Sequence, residues 1–306
     1  MANAQPFADN LTRLLQEDPN KSTGHAAIET LLERLKASQA ETARELYDEL
    51  EEVVKQMLET DYSNTSIKSA SDLFRLSVSL APAELLDQPE FKKVRDYYCE
   101  RGDLFLDRVS KSRDLISKFS RPFFRSNMNV LTHSYSKVVC DALKRAASCG
   151  VELHVWVTKS QPDNSGIKMH TALKEAGIKA TLILDSAAAY VMERMQMVLV
   201  GAEGVMETGG IINKIGTLTL AVCAKTSNKP FYVMAESIKF VKEYPLNQAD
   251  IPEEFKYRKS VLKGKDLAVE HPLVDYTPPQ FISLLFTDLG ILTPAAVGEE
   301  LIRLYT

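Results

Sequence analysis

Along this 306-residue chain the spacing of apolar residues changes once, near Asn129, from a helical repeat to short β-rich runs. No other feature restricts the fold as strongly. Before the change, Ile28, Leu31, Leu32 and Leu35 recur at i, i+3, i+4 and i+7, the stripe that an amphipathic helix buries, with Asp18-Pro19 as its start signal. Ala43, Leu46, Leu50, Val53, Val54 and Met57 repeat the stripe after a polar stretch from Ala37 to Thr42. A third helical segment runs from Ser71 to Leu80 and stops near Pro82. A longer one, from Phe91 to Phe119, is expected to turn Val94, Tyr97, Tyr98, Leu104, Phe105, Val109, Leu115 and Ile116 inward, with Gly102 as a break or kink. This half reads as a helical bundle.

After Asn129, β-rich runs at 129–132, 152–158, 180–185, 197–201 and 231–235 alternate with helix-length segments at 134–149, 165–176, 186–193 and 213–226. Leu182-Ile183-Leu184 and Val198-Leu199-Val200 are continuous apolar runs, as expected of strands covered on both faces. Alternation of strand and helix implies a mostly parallel sheet with right-handed crossovers. A polar, proline-dotted stretch from Pro245 to Pro279 leads to a short last piece, Phe281 to Thr306.

Composition excludes several classes. With 45% hydrophobic and 25% charged residues, and a mean hydropathy of -0.16, the chain is an ordinary globular one. A net charge of -4 and a pI near 5.8 argue against the whole chain binding nucleic acid directly. None of the four cysteines (Cys99, Cys140, Cys149, Cys223) forms a CxxC pair or has a histidine at ligand spacing, so no metal is expected. Cys140 and Cys223, beside valines, read as reduced and buried, which suits a reducing compartment. The first residues lack the basic start and apolar run of a signal peptide, and no stretch approaches the ~20 apolar residues that span a bilayer. The cytosol is the expected location, with no membrane partner.

In open parallel sheets ligands bind beyond the carboxyl ends of the strands. The loops expected there are rich in hydroxyls, carboxylates and amides: Thr132-His133-Ser134-Tyr135, Thr158 to Asp163, Asp185-Ser186, Gly201 to Gly204, and Ala235-Glu236-Ser237. The sharpest segment runs from Gly201 to Thr217. Gly209-Gly210 there would permit close backbone approach, and the residues that follow are expected to open a helix whose N-terminus, beside Lys214, offers an anion site. Neither GxxxxGK[ST] nor GxGxxG occurs, so neither kind of nucleotide loop is supported. His133-Ser134 without a GxSxG elbow is not a hydrolase signature. Trp156, Phe123-Phe124 and Tyr97-Tyr98 read as packing.

Residues 201–225 (GAEGVMETGGIINKIGTLTLAVCAK) with Pro230-Phe-Tyr-Val233 resemble the signature of the initiation factor 2B alpha/beta/delta family, which is related to methylthioribose-1-phosphate and ribose-1,5-bisphosphate isomerases. Leu131 to Ser136, Ser160 to Asp163 with Gly166, and Leu184-Asp185 extend the resemblance. Glu270 to Pro278, Phe286 to Pro294, Ala26-Ala-Ile28 with Leu31-Leu32, and Arg101 to Leu106 bring it closest to alpha-type members. The resemblance implies an α/β architecture, with an N-terminal helical bundle over residues 1–122 packed on a C-terminal Rossmann-like domain over 123–306. In the isomerases a cysteine and an aspartate are expected to shuttle the proton; Ser134 and Glu203 stand at those positions here. A serine hydroxyl is a far weaker acid than a thiol of pKa about 8.5, so proton abstraction is not expected. Arginine and glutamine of the isomerases' phosphate site are also replaced, while Asn213 and Lys214 remain.

The resemblance therefore implies a regulatory subunit of the guanine-nucleotide exchange factor for initiation factor two, with no catalytic residue. Its expected partners are a second copy of itself, the beta, gamma, delta and epsilon subunits, and initiation factor two phosphorylated on its alpha subunit. A second reading is an active sugar-phosphate aldose-ketose isomerase. A third, compatible with the first, is a pocket lined by Thr132, Ser134, Asp185, Glu203, Asn213 and Lys214. It needs no cofactor and holds a sugar phosphate or nucleotide monophosphate.

Overall fold

A computed structural model describes residues 6–80, 82, 91–264 and 266–305. They form two compact units. The first comprises the chain through Lys111 together with Arg258–Asp266 and the last three residues; the second comprises Ser112–Tyr257 and Leu267–Arg303.

The first unit is helical: α1 (Pro6–Glu17), α2 (Thr23–Ala37), α3 (Ala43–Leu58), α4 (Asn64–Ser79) and the part of α5 (Phe91–Ser120) that runs through Lys111. Short hydroxyl side chains set three of the starts. Ser22, Thr42 and Ser63 hold extended backbone and accept from the amides of His25, Glu45 and Ser66, satisfying donors that the first turn leaves unpaired. The start of α2 is thus Ser22, not Asp18-Pro19, and α1 lies before the region where the periodicity was strong enough to read. Ile28, Leu31, Leu32 and Leu35 are buried as their spacing requires, as are Leu46, Leu50, Val53, Val54 and Met57. Each such side chain contributes roughly 1.5–3 kcal/mol.

Two expectations for α5 fail. Gly102 does not break it: the helix is continuous, and a Cβ at that position would stand 2.6 Å from Leu32 Cδ1. The glycine is where α2 and the Phe74 ring come close to the α5 backbone. Leu104 and Leu115 point outward, 69% and 37% exposed, although Val94, Tyr98, Val109 and Ile116 are buried.

The second unit carries a seven-stranded sheet in the order β11-β10-β7-β4-β1-β2-β3. Its strands are β1 (Met128–His133), β2 (Leu153–Thr158), β3 (Lys179–Ile183), β4 (Met197–Gly201), β7 (Phe231–Met234), β10 (Leu284–Thr287) and β11 (Gly290–Leu292). All neighbours are parallel except β10 and β11. Helices α6 (Lys137–Ser148), α7 (Ser165–Glu175), α8 (Ala188–Met192) and α9 (Thr217–Thr226) fall between strands. Val130, Val155, Val157 and Leu199 pack with Val139, Leu143, Met169 and Leu173 in one buried cluster, which includes Cys140. Phe124 is buried there and Phe123 meets Tyr232 and Phe286 edge-on, whereas Trp156 is half-buried and Cys223 is partly exposed. Among the described residues, no helix is long and apolar enough to cross a membrane.

A second sheet, β8-β5-β6-β9, was not legible in the sequence. It is built from β5 (Gly204–Met206), β6 (Ile211–Lys214), β8 (Phe240–Val241) and β9 (Val274–Thr277). The expected helix over 213–226 begins only at Thr217, because Asn213 and Lys214 are held in β6 by pairing with Asp275 and Val274 of β9. Gly209-Gly210 form the tight turn between β5 and β6. Their bare backbone admits the Pro294 carbonyl and the Tyr276 ring, which a Cβ would meet at 2.1 and 2.6 Å. The pair serves internal packing, and no ligand is needed to explain it.

Candidate ligand-binding site

Chain order reverses between β1 and β4, with β2 and β3 on one side and β7 and β10 on the other. In an open parallel sheet this switch point leaves a crevice beyond the carboxyl ends. The loops after β1 and β4 flank it and carry Ser134 and Glu203. Ser134 and, after β2, Ser160 both have positive φ (64° and 60°) and are buried. Non-glycine residues in that region are strained and cluster at functional sites.

His133 holds these loops together. Its Nε2 is 2.8 Å from the Ile215 carbonyl, which can only accept, so Nε2 carries the proton. Nδ1, 2.6 Å from Thr158 Oγ1, then accepts from that hydroxyl. Burial lowers the pKa of the imidazole, against the pull of the Ile215 bond and of Asp185, so the ring is neutral near pH 7. One side chain thereby ties β1, β2 and the turn between β6 and α9.

Of the residues expected to line a pocket, some meet and others are engaged elsewhere. Glu203 and Lys214 meet, with Nζ 3.3 Å from Oε1. Asp163, absent from the expected set, stands 3.5 Å from the same ammonium through Oδ2, while its Oδ1 accepts from the Ser165 amide at 2.9 Å. Glu203 and Asp163 raise the pKa of Lys214 against its burial. Burial would raise that of Asp163, but Ser165 and Lys214 outweigh it and lower the value. Lys214 and Asp163 are therefore charged near neutral pH. Ser134 shares a 2.8 Å hydrogen bond with Ser165. Thr132 is fully buried and its hydroxyl has no hydrogen-bond partner.

Asp185 and Asn213 are engaged inside the protein. Asp185 accepts from the amides of Ser160 and Gln161 at 2.8 and 2.9 Å, bracing the strained loop after β2. Asn213 is buried and donates to Thr217 Oγ1 at 3.0 Å. The α9 N-terminus, expected to offer free amides to an anion, is already occupied by a side chain: Asp275 accepts from Gly216 at 2.7 Å and from Leu218 at 3.2 Å. Lys214 thus acts from the end of a strand and not from a helix.

A buried ion-pair network fixes the neighbouring loop. Glu236, after β7, accepts from Arg113 Nε at 3.0 Å and pairs with Lys239 at 3.3 Å, and Lys239 donates to the Ala202 carbonyl at 2.8 Å. Burial alone would raise the Glu236 pKa; Lys239 and Arg113 outweigh it and bring the value to about 2. The backbone immediately before Glu203 is anchored by this ion-paired cluster. Among the described residues, no group of His, Cys, Asp and Glu is arranged to hold a metal ion.

The profile of the family described as "Initiation factor 2 subunit family" matches residues 16–294. The chain is 57% identical to "Translation initiation factor eIF2B subunit alpha" of Caenorhabditis elegans over 291 residues, 95% of each chain. It is 32% identical over 200 residues, 64% of each chain, to "Ribose 1,5-bisphosphate isomerase" of Methanocaldococcus jannaschii. In fold it is similar to a chain of the tetrameric eIF2B-beta2-delta2 complex from C. thermophilum, with a TM-score of 0.72 at 18% identity, over 98% of this chain and 94% of that one.

Proposed function

The chain belongs to the initiation factor 2 subunit family, and on that premise we propose that it is a regulatory, non-catalytic subunit of the guanine-nucleotide exchange factor for translation initiation factor two. The observation that carries this reading is 57% identity to an alpha subunit along almost the full length of both chains. In detail, two copies pair and join beta, gamma, delta and epsilon subunits in the cytosol. The helical unit then helps sense initiation factor two phosphorylated on its alpha subunit. Reconstitution tests this. With the chain present, phosphorylated factor is expected to slow nucleotide release by the assembled complex. Equal inhibition without it, or failure to associate with the other subunits, would overturn the assignment.

The site supports binding better than turnover. Ser134 shares its hydroxyl hydrogen bond with another hydroxyl, and Glu203 is ion-paired with Lys214. Neither arrangement activates a proton shuttle. The pocket's occupant is a sugar phosphate or nucleotide monophosphate, held as a regulatory ligand near Thr132, Ser134, Asp185, Glu203, Asn213 and Lys214. Ribose 5-phosphate is expected to bind in calorimetry and to lose affinity at least tenfold in Lys214→Ala, the scale of losing a charge-assisted contact. Saturable conversion of ribose 1,5-bisphosphate or methylthioribose-1-phosphate, abolished by Glu203→Gln, would instead establish the isomerase reading.

A further inference from the structure

Lys214 is the phosphate contact in the reading above, yet its ammonium lies between two carboxylates, Glu203 at 3.3 Å and Asp163 at 3.5 Å. The side chains are 27%, 19% and 20% exposed, so water screens them only partly. One positive and two negative charges leave the cluster net negative. A bare dianion arriving at Lys214 would meet the repulsion of both carboxylates as well as the attraction of the ammonium, because charges this close are screened only partly near a protein surface. The two carboxylates are not equivalent. Glu203 follows β4, on a backbone anchored through Ala202 and Lys239. Asp163 lies in the loop after β2, beside Ser165, the partner of Ser134.

We infer that Asp163 is the specificity-determining residue of this pocket: a built-in anion that occupies Lys214 until a ligand supplies its own phosphate there and hydroxyls to Glu203. The inference rests on the pocket reading proposed above and gives it a selectivity. Inorganic phosphate offers Lys214 an anion and at most one or two P–OH donors, with no hydroxyls carried on a carbon skeleton to reach Glu203. A phosphomonoester of a polyhydroxylated carbon skeleton offers both the anion and such hydroxyls, since a carboxylate accepts hydrogen bonds from hydroxyls. Free sugar phosphates and nucleoside monophosphates share that chemistry. Selection against the bare ion comes from an unfavourable charge contact, a means of discrimination as effective as adding attraction for the right ligand.

The experiment compares wild type with Asp163→Asn, which keeps an oxygen for the Ser165 amide and removes the charge. Inorganic phosphate, ribose 5-phosphate and adenosine monophosphate are each titrated by calorimetry. Asp163→Asn is expected to bind inorganic phosphate roughly tenfold more tightly than wild type, so that preference for the ester over the bare ion narrows. Asp163→Glu, which restores the charge, should return the exclusion. If Asp163→Asn does not fold, Asp163→Ser keeps an acceptor and serves in its place. Unchanged or weaker phosphate binding in the neutral variant, with ribose 5-phosphate or the nucleotide still bound by wild type, would overturn the inference and leave the pocket reading intact. A gain for phosphate in the variant, with neither ester bound by wild type, would sink the pocket reading and the selectivity that rests on it. No binding of any probe to either protein would remove both. The two ester arms separate a sugar phosphate from a nucleotide as the source of the shared chemistry.

Discussion

Asp275 shows how a residue can look like part of a ligand site and instead stand in for the ligand. Its carboxyl is buried at the start of α9, where it accepts two backbone amides. Burial raises its pKa to about 7, against the pull of those amides. The unfolded value is near 3.8. Between these values the folded chain keeps a proton that the unfolded chain has released. The group's contribution is therefore most favourable below pH 4 and is lost as pH rises through 7. Asp275→Asn, which cannot ionise, should gain on wild type by up to a few kcal/mol as pH moves from 5 to 8. Urea unfolding of both proteins at the two pH values checks the sign; a gap that closes or stays constant would contradict it. The sequence could not reveal this carboxylate, because it reaches the α9 start only through β6–β9 pairing. The same holds for Asp163 against Lys214 and for the two-sided bonding of His133. That Thr132, Ser134, Asp185 and Glu203 fall at strand carboxyl ends was legible, since strand and helix alternation orders those ends before any contact is known.

At the level of elements, a segment that buries a long periodic face is legible in the sequence, and a short one that depends on a distant partner is not. α2 and α3 carry four or more apolar positions at helical spacing, and the apolar run at 197–201 coincides with β4 at both ends. β5, β6, β8 and β9 have two to four residues each, too few for a period. Caps and close approaches leave sharper tests. Ser22→Ala removes the acceptor for the His25 amide and should cost about 1 kcal/mol of stability. Gly102→Ala would normally strengthen a helix by somewhat less than that. Here its Cβ meets Leu32 and the Phe74 ring, so a net loss of about 1–3 kcal/mol is expected. Thermal or denaturant unfolding of the helical unit within the full chain would separate the two cases. A stabilised Gly102→Ala protein would show that α5 can move away from α2 at little cost.

At the scale of the whole molecule, a regulatory subunit must offer surface to other chains, and pairing with a second copy should leave a recognisable apolar patch. In the second unit Leu184, just before α8, is 63% exposed and Tyr190, on α8, is 78% exposed. The packed helix α9 adds Val222 at 42%. Large apolar side chains left this open are common singly, but aromatic residues are enriched where interfaces form. Pairing through α8 would bury the Tyr190 ring in an isologous contact, each copy giving the same residue. A glutamate at position 190 would then place a charge opposite its own symmetry mate or close to it, in a desolvated setting where an unpaired carboxylate is costly. Tyr190→Glu is expected to shift the chain from dimer to monomer in sedimentation equilibrium at micromolar concentration, with far-ultraviolet dichroism unchanged. A variant that dimerises as well as wild type would keep the proposed pairing but move its seam off this face. A wild-type chain that is monomeric at these concentrations would remove the pairing itself.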